Sequence, residues 1–454
     1  MARRALLAAA AVLAVAVLAG VLVGDRVRTP RGAGGNPVPG EGTPIMIVGD
    51  SITQGGAGAY TWRYRLWRHL TGAGTQVDLV GPRTDLYDFV NNRWGDHHYA
   101  APRFDWDHDA VAGEPLSTAL TTIEQQVRRY RPRYLLVLLG TNDLAVFHTP
   151  PDALAGELRT FVGNARRAAP DVRIVLGRIP PMTPNPATGP DINARIAAYD
   201  GQVTRVAAAM STARSPIAVA DTFAGYDDRH DSWDGTHPNA RGELRIAAAF
   251  EDALHRRFGL GPAAVRPVPR VRVGPAPPRM TARGGAGNVL LSWTPVPGAT
   301  GYWLWRREVG VSGRFSRLPD PLNVRSIPWQ DGGLAHGVTY EYRVQAIQGR
   351  DTGAASAPVR VTTTADGPRA PRLNATAGNG EAVLSWTTQP GTAYWVLWRR
   401  SGDRDFRRLP FPVNSSPFTI RPLTNGTRYD LRLQATRGLT DGALTNVTTV
   451  VPNG

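Results

Sequence analysis

The amino-acid sequence predicts an α/β domain, a parallel sheet covered by helices on both faces, followed by two all-β sandwiches. Three observations carry this. Between residues 45 and 258, short apolar runs alternate strictly with longer amphipathic stretches. From residue 279 onward, a set of strand-like segments occurs twice, aromatic for aromatic. A Pro-rich stretch, 261–278, separates the two patterns.

The chain opens with Arg3-Arg4 and then an uncharged apolar run over 5–24. At ~1.5 Å per residue its length matches a hydrocarbon core of ~30 Å. A secretory signal peptide would have a shorter apolar stretch and a small-residue cleavage site. Ala14-Val15-Ala16 could serve, but the run continues past it. Residues 1–28 are therefore expected to be a signal peptide or a membrane anchor, and the product to be secreted or anchored at the extracellular face. Residues 29–43, rich in Gly and Pro, read as a flexible linker.

Within 44–260, the runs 45–49, 77–80, 134–139, 172–179 and 217–220 have the continuous apolar character of strands buried on both faces. Helical stretches are expected at 60–70, 116–130, 153–168, 192–210 and 240–258. Strand and helix in strict turn imply parallel pairing, and such folds gather their reactive groups at the carboxyl ends of the strands.

The linker at 261–278 leads to modules at 279–364 and 368–451. Val289-Leu290-Leu291-Ser292-Trp293 recurs as Ala382-Val383-Leu384-Ser385-Trp386, and Trp305-Arg306-Arg307 recurs as Trp398-Arg399-Arg400, both 93 positions on. Leu334, Gly337 and Tyr340 recur as Leu423, Gly426 and Tyr429. Short strands with a core Trp, an aromatic strand and a Leu-to-Tyr corner resemble fibronectin type III modules, which implies immunoglobulin-like sandwiches.

Composition excludes several chemistries. There is no Cys, hence no disulfide, thiolate metal site or thiol nucleophile. All 52 basic residues are Arg, so Walker-A loops, Schiff-base lysines and Ser–Lys dyads are absent too. The net charge of +15 is unevenly spread. Residues 41–260 hold 23 Arg against 25 acidic residues, whereas 261–454 hold 24 Arg against 11. The excess lies away from the segment that carries the chemistry. No nucleic-acid motif accompanies it, so nucleic acid is not an expected partner; attraction to an anionic cell envelope is the sharper alternative to a merely solvated surface.

Three short motifs fall at successive strand ends. Gly49-Asp50-Ser51-Ile52 places a serine where strand 45–49 turns into a helix, with its hydroxyl toward the cleft. The glycine-rich run at 55–58 follows that serine and, without lysine, reads as a flexible turn. Gly140-Thr141-Asn142-Asp143 brings a side-chain amide to the same edge, either as an oxyanion donor or as a plain turn. In Asp234-Gly235-Thr236-His237-Pro238 a carboxylate three residues ahead of an imidazole can orient it, and His237 can then act as base to a serine; a helix-capping Asp beside an incidental His is the plain alternative. Each motif alone is weak, and their joint occurrence in chain order is not.

These motifs resemble the first, third and fifth blocks of the SGNH (GDSL-type) hydrolase family, over 45–258. The resemblance implies a flavodoxin-like three-layer α/β/α domain and a Ser51–His237–Asp234 triad needing no metal or other cofactor. It also implies an oxyanion hole made by the amides of Ser51 and Gly113 and the side chain of Asn142. Gly113 is the candidate because Ala112-Gly113-Glu114-Pro115 precedes a helix, although Pro115 replaces the usual polar residue. Ile52 stands for the usual Leu. Within the family, 45–55 and Val77-Asp78-Leu79-Val80-Gly81 most resemble acetylxylan-esterase-like carbohydrate esterases.

The expected function is thus an exported ester hydrolase acting on an acylated polysaccharide or another ester, with envelope or polysaccharide binding as the role of the C-terminal modules. A lipase or phospholipase and an inactive envelope-binding protein are the alternatives. Asp96-His97-His98 and the 105–109 run carry metal-capable groups and are read as the cleft rim, with a calcium site as the alternative. His230 is read as part of the loop that presents the triad. Trp303, Trp305, Trp395 and Trp398 can form a sugar-binding strip, although strands must bury one face and core packing accounts for some of them.

Overall fold

The computed structural model describes residues 42–311, 313–364, 367–437 and 440–454. The apolar run assigned to export and nearly all of the 29–43 linker lie outside these. Among the described residues no helix is long and apolar enough to cross a membrane. The chain divides into two compact units, the first reaching Pro275 and taking in 297–299 and 348–353, the second holding the rest of both β-rich modules.

In chain order the first unit has β1 (Thr43–Gly49), α1 (Ser51–Gln54), α2 (Trp62–Gly72), β2 (Val77–Val80), β3 (Leu86–Asp88), β4 (Arg93–Asp96) and β5 (Asp109–Ala110). Then follow α3 (Leu116–Tyr130), β6 (Tyr134–Leu138), α4 (Thr141–Ala145), α5 (Pro151–Ala168) and β7 (Arg173–Gly177). The unit continues through α6 (Ile192–Met210), β8 (Ile217–Ala220), α7 (Asp228–Asp231) and α8 (Ala240–Phe258). The sheet runs β2-β1-β6-β7-β8, all parallel, and β5 extends it at the carboxyl end of β1. This is the doubly wound order whose direction of winding reverses between β1 and β6. Helices α2 and α8 pack together, and α3, α5 and α6 form a second packed set. The β3–β4 hairpin was not legible as an element; its polar, aromatic and Gly-containing residues show no strand alternation.

Local chemistry sets the helix ends. Asn239 caps α8, accepting from the amides of Arg241 and Gly242 at 3.0 and 3.2 Å. Gly259 closes that helix in the left-handed conformation, after His255, Arg256 and Arg257 in its last turn. Helix α3 has no side-chain cap of its own; the Asp143 carboxylate, from the end of β6, accepts from Leu116 N at 3.1 Å.

The second unit has β9 (Met280–Gly285), β10 (Asn288–Trp293), β11 (Gly301–Glu308), β12 (Ser316–Arg317), β13 (Trp329–Gly332), β14 (Thr339–Gln348), β15 (Asp351–Ala355) and β16 (Val359–Thr362). The second module has β17 (Asn374–Gly378), β18 (Glu381–Ser385), β19 (Ala393–Arg400), β20 (Arg407–Arg408), β21 (Phe418–Ile420), β22 (Tyr429–Arg437), β23 (Thr440–Leu444) and β24 (Thr448–Val450). Each module pairs a three-stranded with a five-stranded sheet, a β-sandwich arrangement. In the second, Leu384, Val396, Leu431 and Leu433 join residues from both sheets in one core. Tyr340 and Tyr429 each accept at their hydroxyls from a backbone amide five residues upstream, Ala335 N and Thr424 N, both at 3.2 Å.

Sheet register corrects one detail of the repeat. Trp303 faces Gln345 and Arg307 faces Glu341 in the first module; Trp395 faces Gln434 and Arg399 faces Asp430 in the second. The structural partner of Trp305 is therefore Leu397, and Trp398 corresponds to Arg306. One residue fewer between core Trp and aromatic strand produces the slip, and a one-residue slip exchanges the two faces. Trp398 accordingly packs against the core, whereas Trp303, Trp305 and Trp395 stand on the outer face opposite buried Tyr302, Leu304, Tyr394 and Val396.

Burial pushes several carboxyls of the first unit upward: Asp50 and Asp143 to about 6, Asp105 and Asp200 to about 7, and Glu251 to about 8. Their folded values lie above 3.8 and 4.5, so their stabilising contribution is complete at acid pH and is lost as pH rises through 6 to 8. Thermal unfolding followed by circular dichroism should therefore show a midpoint that falls between pH 5 and pH 9.

Candidate active site

The site is assembled from four loops at the carboxyl edge of the sheet. β1 ends at Gly49, where an added Cβ would lie 2.2 Å from Thr53 Oγ1 and 2.9 Å from Leu138 O, so only glycine lets the chain turn there. Asp50 caps the short helix α1 through its Oδ1, 2.9 Å from Ile52 N. Ser51, the first residue of that helix, is buried, with 7% of its surface exposed.

His237 Nε2 lies 2.9 Å from Ser51 Oγ, and Nδ1 lies 2.7 Å from Asp234 Oδ2. The other carboxylate oxygen of Asp234 accepts from the amides of Thr236 and His237 at 2.9 and 2.8 Å. Three acceptor bonds thus lock the carboxylate and set the imidazole tautomer, with hydrogen on Nδ1 and a lone pair on Nε2 toward the serine. Burial is the largest influence on His237 and lowers its pKa, but the charge and hydrogen bond of Asp234, with the charge of Asp50, outweigh it; the net shift is upward from 6.5. Burial likewise opposes the Asp234 charge, and its imidazole and amide partners still hold its pKa below the usual carboxylate value.

The loop that presents this pair is anchored beneath. Asp231, fully buried, meets Arg241 Nε at 2.8 Å and Arg245 Nε at 2.7 Å, and its carboxylate also accepts from Asp227 N at 2.8 Å. Aromatic rings flank the imidazole: Trp233 stacks on it at 5.6 Å between centroids, and Phe89 stands 4.4 Å away. His230 is bonded to Asp227 at 2.6 Å and is exposed, apart from the serine.

Gly113 and Asn142 meet at a second turn. Val111 N donates to Gly49 O at 3.0 Å, and Glu114 N closes back on Val111 O at 3.1 Å, with Gly113 at φ +82°. A type II turn requires that conformation, which explains glycine at this position. Asn142 Nδ2 donates to Glu114 O at 3.2 Å, leaving its second hydrogen free, and Asp143 beside it caps α3 as described. The structure thus brings Ser51, His237 and Asp234 into one hydrogen-bonded chain and ties the Gly113 turn to both Gly49 and Asn142.

Two supporting residues were not singled out in the sequence. Gln54 accepts from Ala112 N at 2.8 Å and donates to Asp85 at 3.1 Å, joining the serine helix to the Gly113 turn. Arg63, wholly buried, donates to the carbonyls of Thr53, Gln54 and Trp106 and to the Tyr99 hydroxyl at 2.9–3.0 Å. Gln54 follows Ser51 by three residues, a full turn on the same helix face, and that was the available signal; Arg63 offered none. The metal-capable runs do structural work. Asp105 accepts from Leu79 N at 2.6 Å, His108 is buried and bonded to Asp85 O, and Asp96 accepts from His98 N. Among the described residues no three His, Cys, Asp or Glu side chains converge as a metal site.

A buried strand-end serine hydrogen-bonded to an imidazole is the arrangement that nucleophilic catalysis requires. Consistently, residues 47–245 match the model of the GDSL-like Lipase/Acylhydrolase family. Solved structures similar to the chain include an acetyl esterase mutant crystallised with acetate ion, 28% identical, covering 45% of this chain and 92% of that one at a TM-score of 0.39. A carbohydrate esterase family 3 protein from Talaromyces cellulolyticus is 28% identical over 46% of this chain and 94% of that one, also at 0.39. A family 3 carbohydrate esterase of Clostridium thermocellum is 24% identical over 47% and 96%, at 0.37.

Two outcomes follow from the geometry. The imidazole must be neutral to accept a proton, and its pKa is raised, so kcat/KM for a small aryl acetate should climb with pH along a limb centred above 6.5. Asp231→Ala would leave Arg241 and Arg245 without their buried counter-charge, and should lower unfolding stability by about 3–5 kcal/mol in urea titrations.

Proposed function

We propose that the protein is an exported serine ester hydrolase that removes short acyl groups, acetate above all, from a polysaccharide. The observation that carries the hydrolytic part is the chain Ser51 Oγ–His237–Asp234, at 2.9 and 2.7 Å. Ser51 Oγ attacks the acyl carbonyl while His237 Nε2 takes its proton, and Asp234 stabilises the resulting imidazolium. The oxyanion receives hydrogen bonds from the amides of Ser51 and Gly113 and from Asn142 Nδ2. Collapse breaks the ester C–O bond, and the alcohol leaves with the proton from His237. Water then repeats the sequence, with His237 as base, and frees the carboxylic acid and Ser51.

Preference for acetyl on a sugar chain is supported by the resemblance of 45–55 and 77–81 to acetylxylan-esterase-like enzymes. The apolar run over 5–24 supports export, and the repeated core Trp and Tyr corner support fibronectin type III-like modules acting as spacers or adhesion units.

Ser51→Ala and His237→Ala should each abolish hydrolysis of an aryl acetate, and Asn142→Ala should lower kcat by about 10²–10³ with little change in KM. Wild-type rates in the serine and histidine variants would refute the mechanism. A chain-length series of aryl esters, with acetate release from acetyl-xylan, tests the substrate: acetyl should be favoured, and activity confined to long acyl chains would overturn the polysaccharide assignment.

A further inference from the structure

The second unit repeats an arrangement that ester hydrolysis does not require. On the outer face of the first module, the Arg317 guanidinium lies over the Trp303 ring, 3.9 Å from its centroid, and 6.0 Å from that of Trp305. Next to it, Arg343 lies 4.4 Å and Arg307 4.8 Å from the centroid of Phe315. Guanidinium planes and aromatic rings thus form a ladder across β11, β12 and β14. The second module has the same ladder at register-equivalent positions. Arg408 lies 4.1 Å from Trp395, and Arg399 and Arg432 lie 4.4 and 5.8 Å from Phe406. Trp305 alone has changed, to Leu397.

Some rungs are neutralised. Arg307 pairs with Glu341, Arg399 with Asp430 and Arg432 with Glu308. Among the described residues no carboxylate pairs with Arg317 or Arg408, and both are exposed. These are the same rung in the two modules. A guanidinium held against an indole keeps its in-plane N–H fork directed outward, the geometry that binds a carboxylate through two parallel hydrogen bonds. Within this unit a cavity of about 300 Å³ is lined by six arginines, Arg317 and Arg432 among them, against only two acids, Glu308 and Asp405. The surplus extends over 261–454, with 24 Arg and 11 acidic residues.

We propose that the two arginine–aromatic ladders bind an acidic polysaccharide, with its carboxylates on Arg317 and Arg408. Guanidinium groups already cover a face of Trp303 and of Trp395, which disfavours these rings as stacking platforms for nucleobases. The concave, arginine-lined cleft suits a single chain of sugars better than a flat bilayer. The inference does not rest on the ester-hydrolase reading.

The test uses the full chain in co-sedimentation or affinity electrophoresis with polygalacturonate, neutral xylan, duplex DNA and anionic phospholipid vesicles. Polygalacturonate should bind best, and more weakly as salt is raised. Combined Arg317→Gln and Arg408→Gln, which retain a planar group on the indoles, should weaken that binding at least ten-fold while the thermal midpoint stays unchanged. Wild-type affinity in the double variant, equal binding of neutral xylan, or preference for DNA or vesicles would overturn the proposal. If the double variant unfolds, Arg317→Lys with Arg408→Lys keeps the charge but loses the fork; unchanged affinity there overturns it as well.

Discussion

The pairing of β1 with β6, in which Gly49 stands beside Leu138, is the constraint on which the site depends. Ser51 follows the first strand by two residues, and Asn142 follows the second by four. Parallel register therefore delivers a serine hydroxyl and a side-chain amide to one edge without any contact between them having to be selected. Winding reverses between these two strands, so the chain leaves them toward opposite faces and opens a crevice. β5 pairs with the carboxyl end of β1 on the edge away from β6 and carries the Gly113 turn to the site.

What the strands deliver, buried polar groups then hold. Arg63 ties the serine helix to the aromatic loop beside it through three carbonyl acceptors and the Tyr99 hydroxyl. Gln54 joins that helix to the Gly113 turn, Asp143 caps α3 from β6, and Asp231 clamps the loop bearing Asp234 and His237. Each of these groups is desolvated, and each is stable only because its partners are supplied by another segment. The same burial that strengthens the network raises the pKa values of Asp50 and Asp143 to about 6, so the acidic supports of the site are poised near neutrality.

The second unit shows how faces of a strand divide labour. Inward residues of both modules form cores from Trp, Tyr and branched aliphatic side chains. Outward residues retain, twice, the alternation of arginine and aromatic ring. A one-residue difference in the connection preceding the aromatic strand hid this correspondence, because the Trp-Arg-Arg match pairs an outward Trp305 with an inward Trp398. Only backbone hydrogen bonding resolves such a register.

The strands, the long helices and the strand-end motifs of the first unit were readable from the sequence because they depend on local periodicity and on short spacings. Asp234 and His237 are three residues apart, so their contact was foreseeable; the contact of His237 with Ser51 spans 186 positions and required the fold. The β3–β4 hairpin, the buried Arg63 and the bridging Gln54 were decided by tertiary structure alone. Their partners are carbonyls, amides and rings from distant segments, and no pattern along the chain records which backbone group a buried side chain will meet. The outer faces of the sandwiches follow the same rule: the arginines were visible as composition, and pairing across strands placed them on the rings.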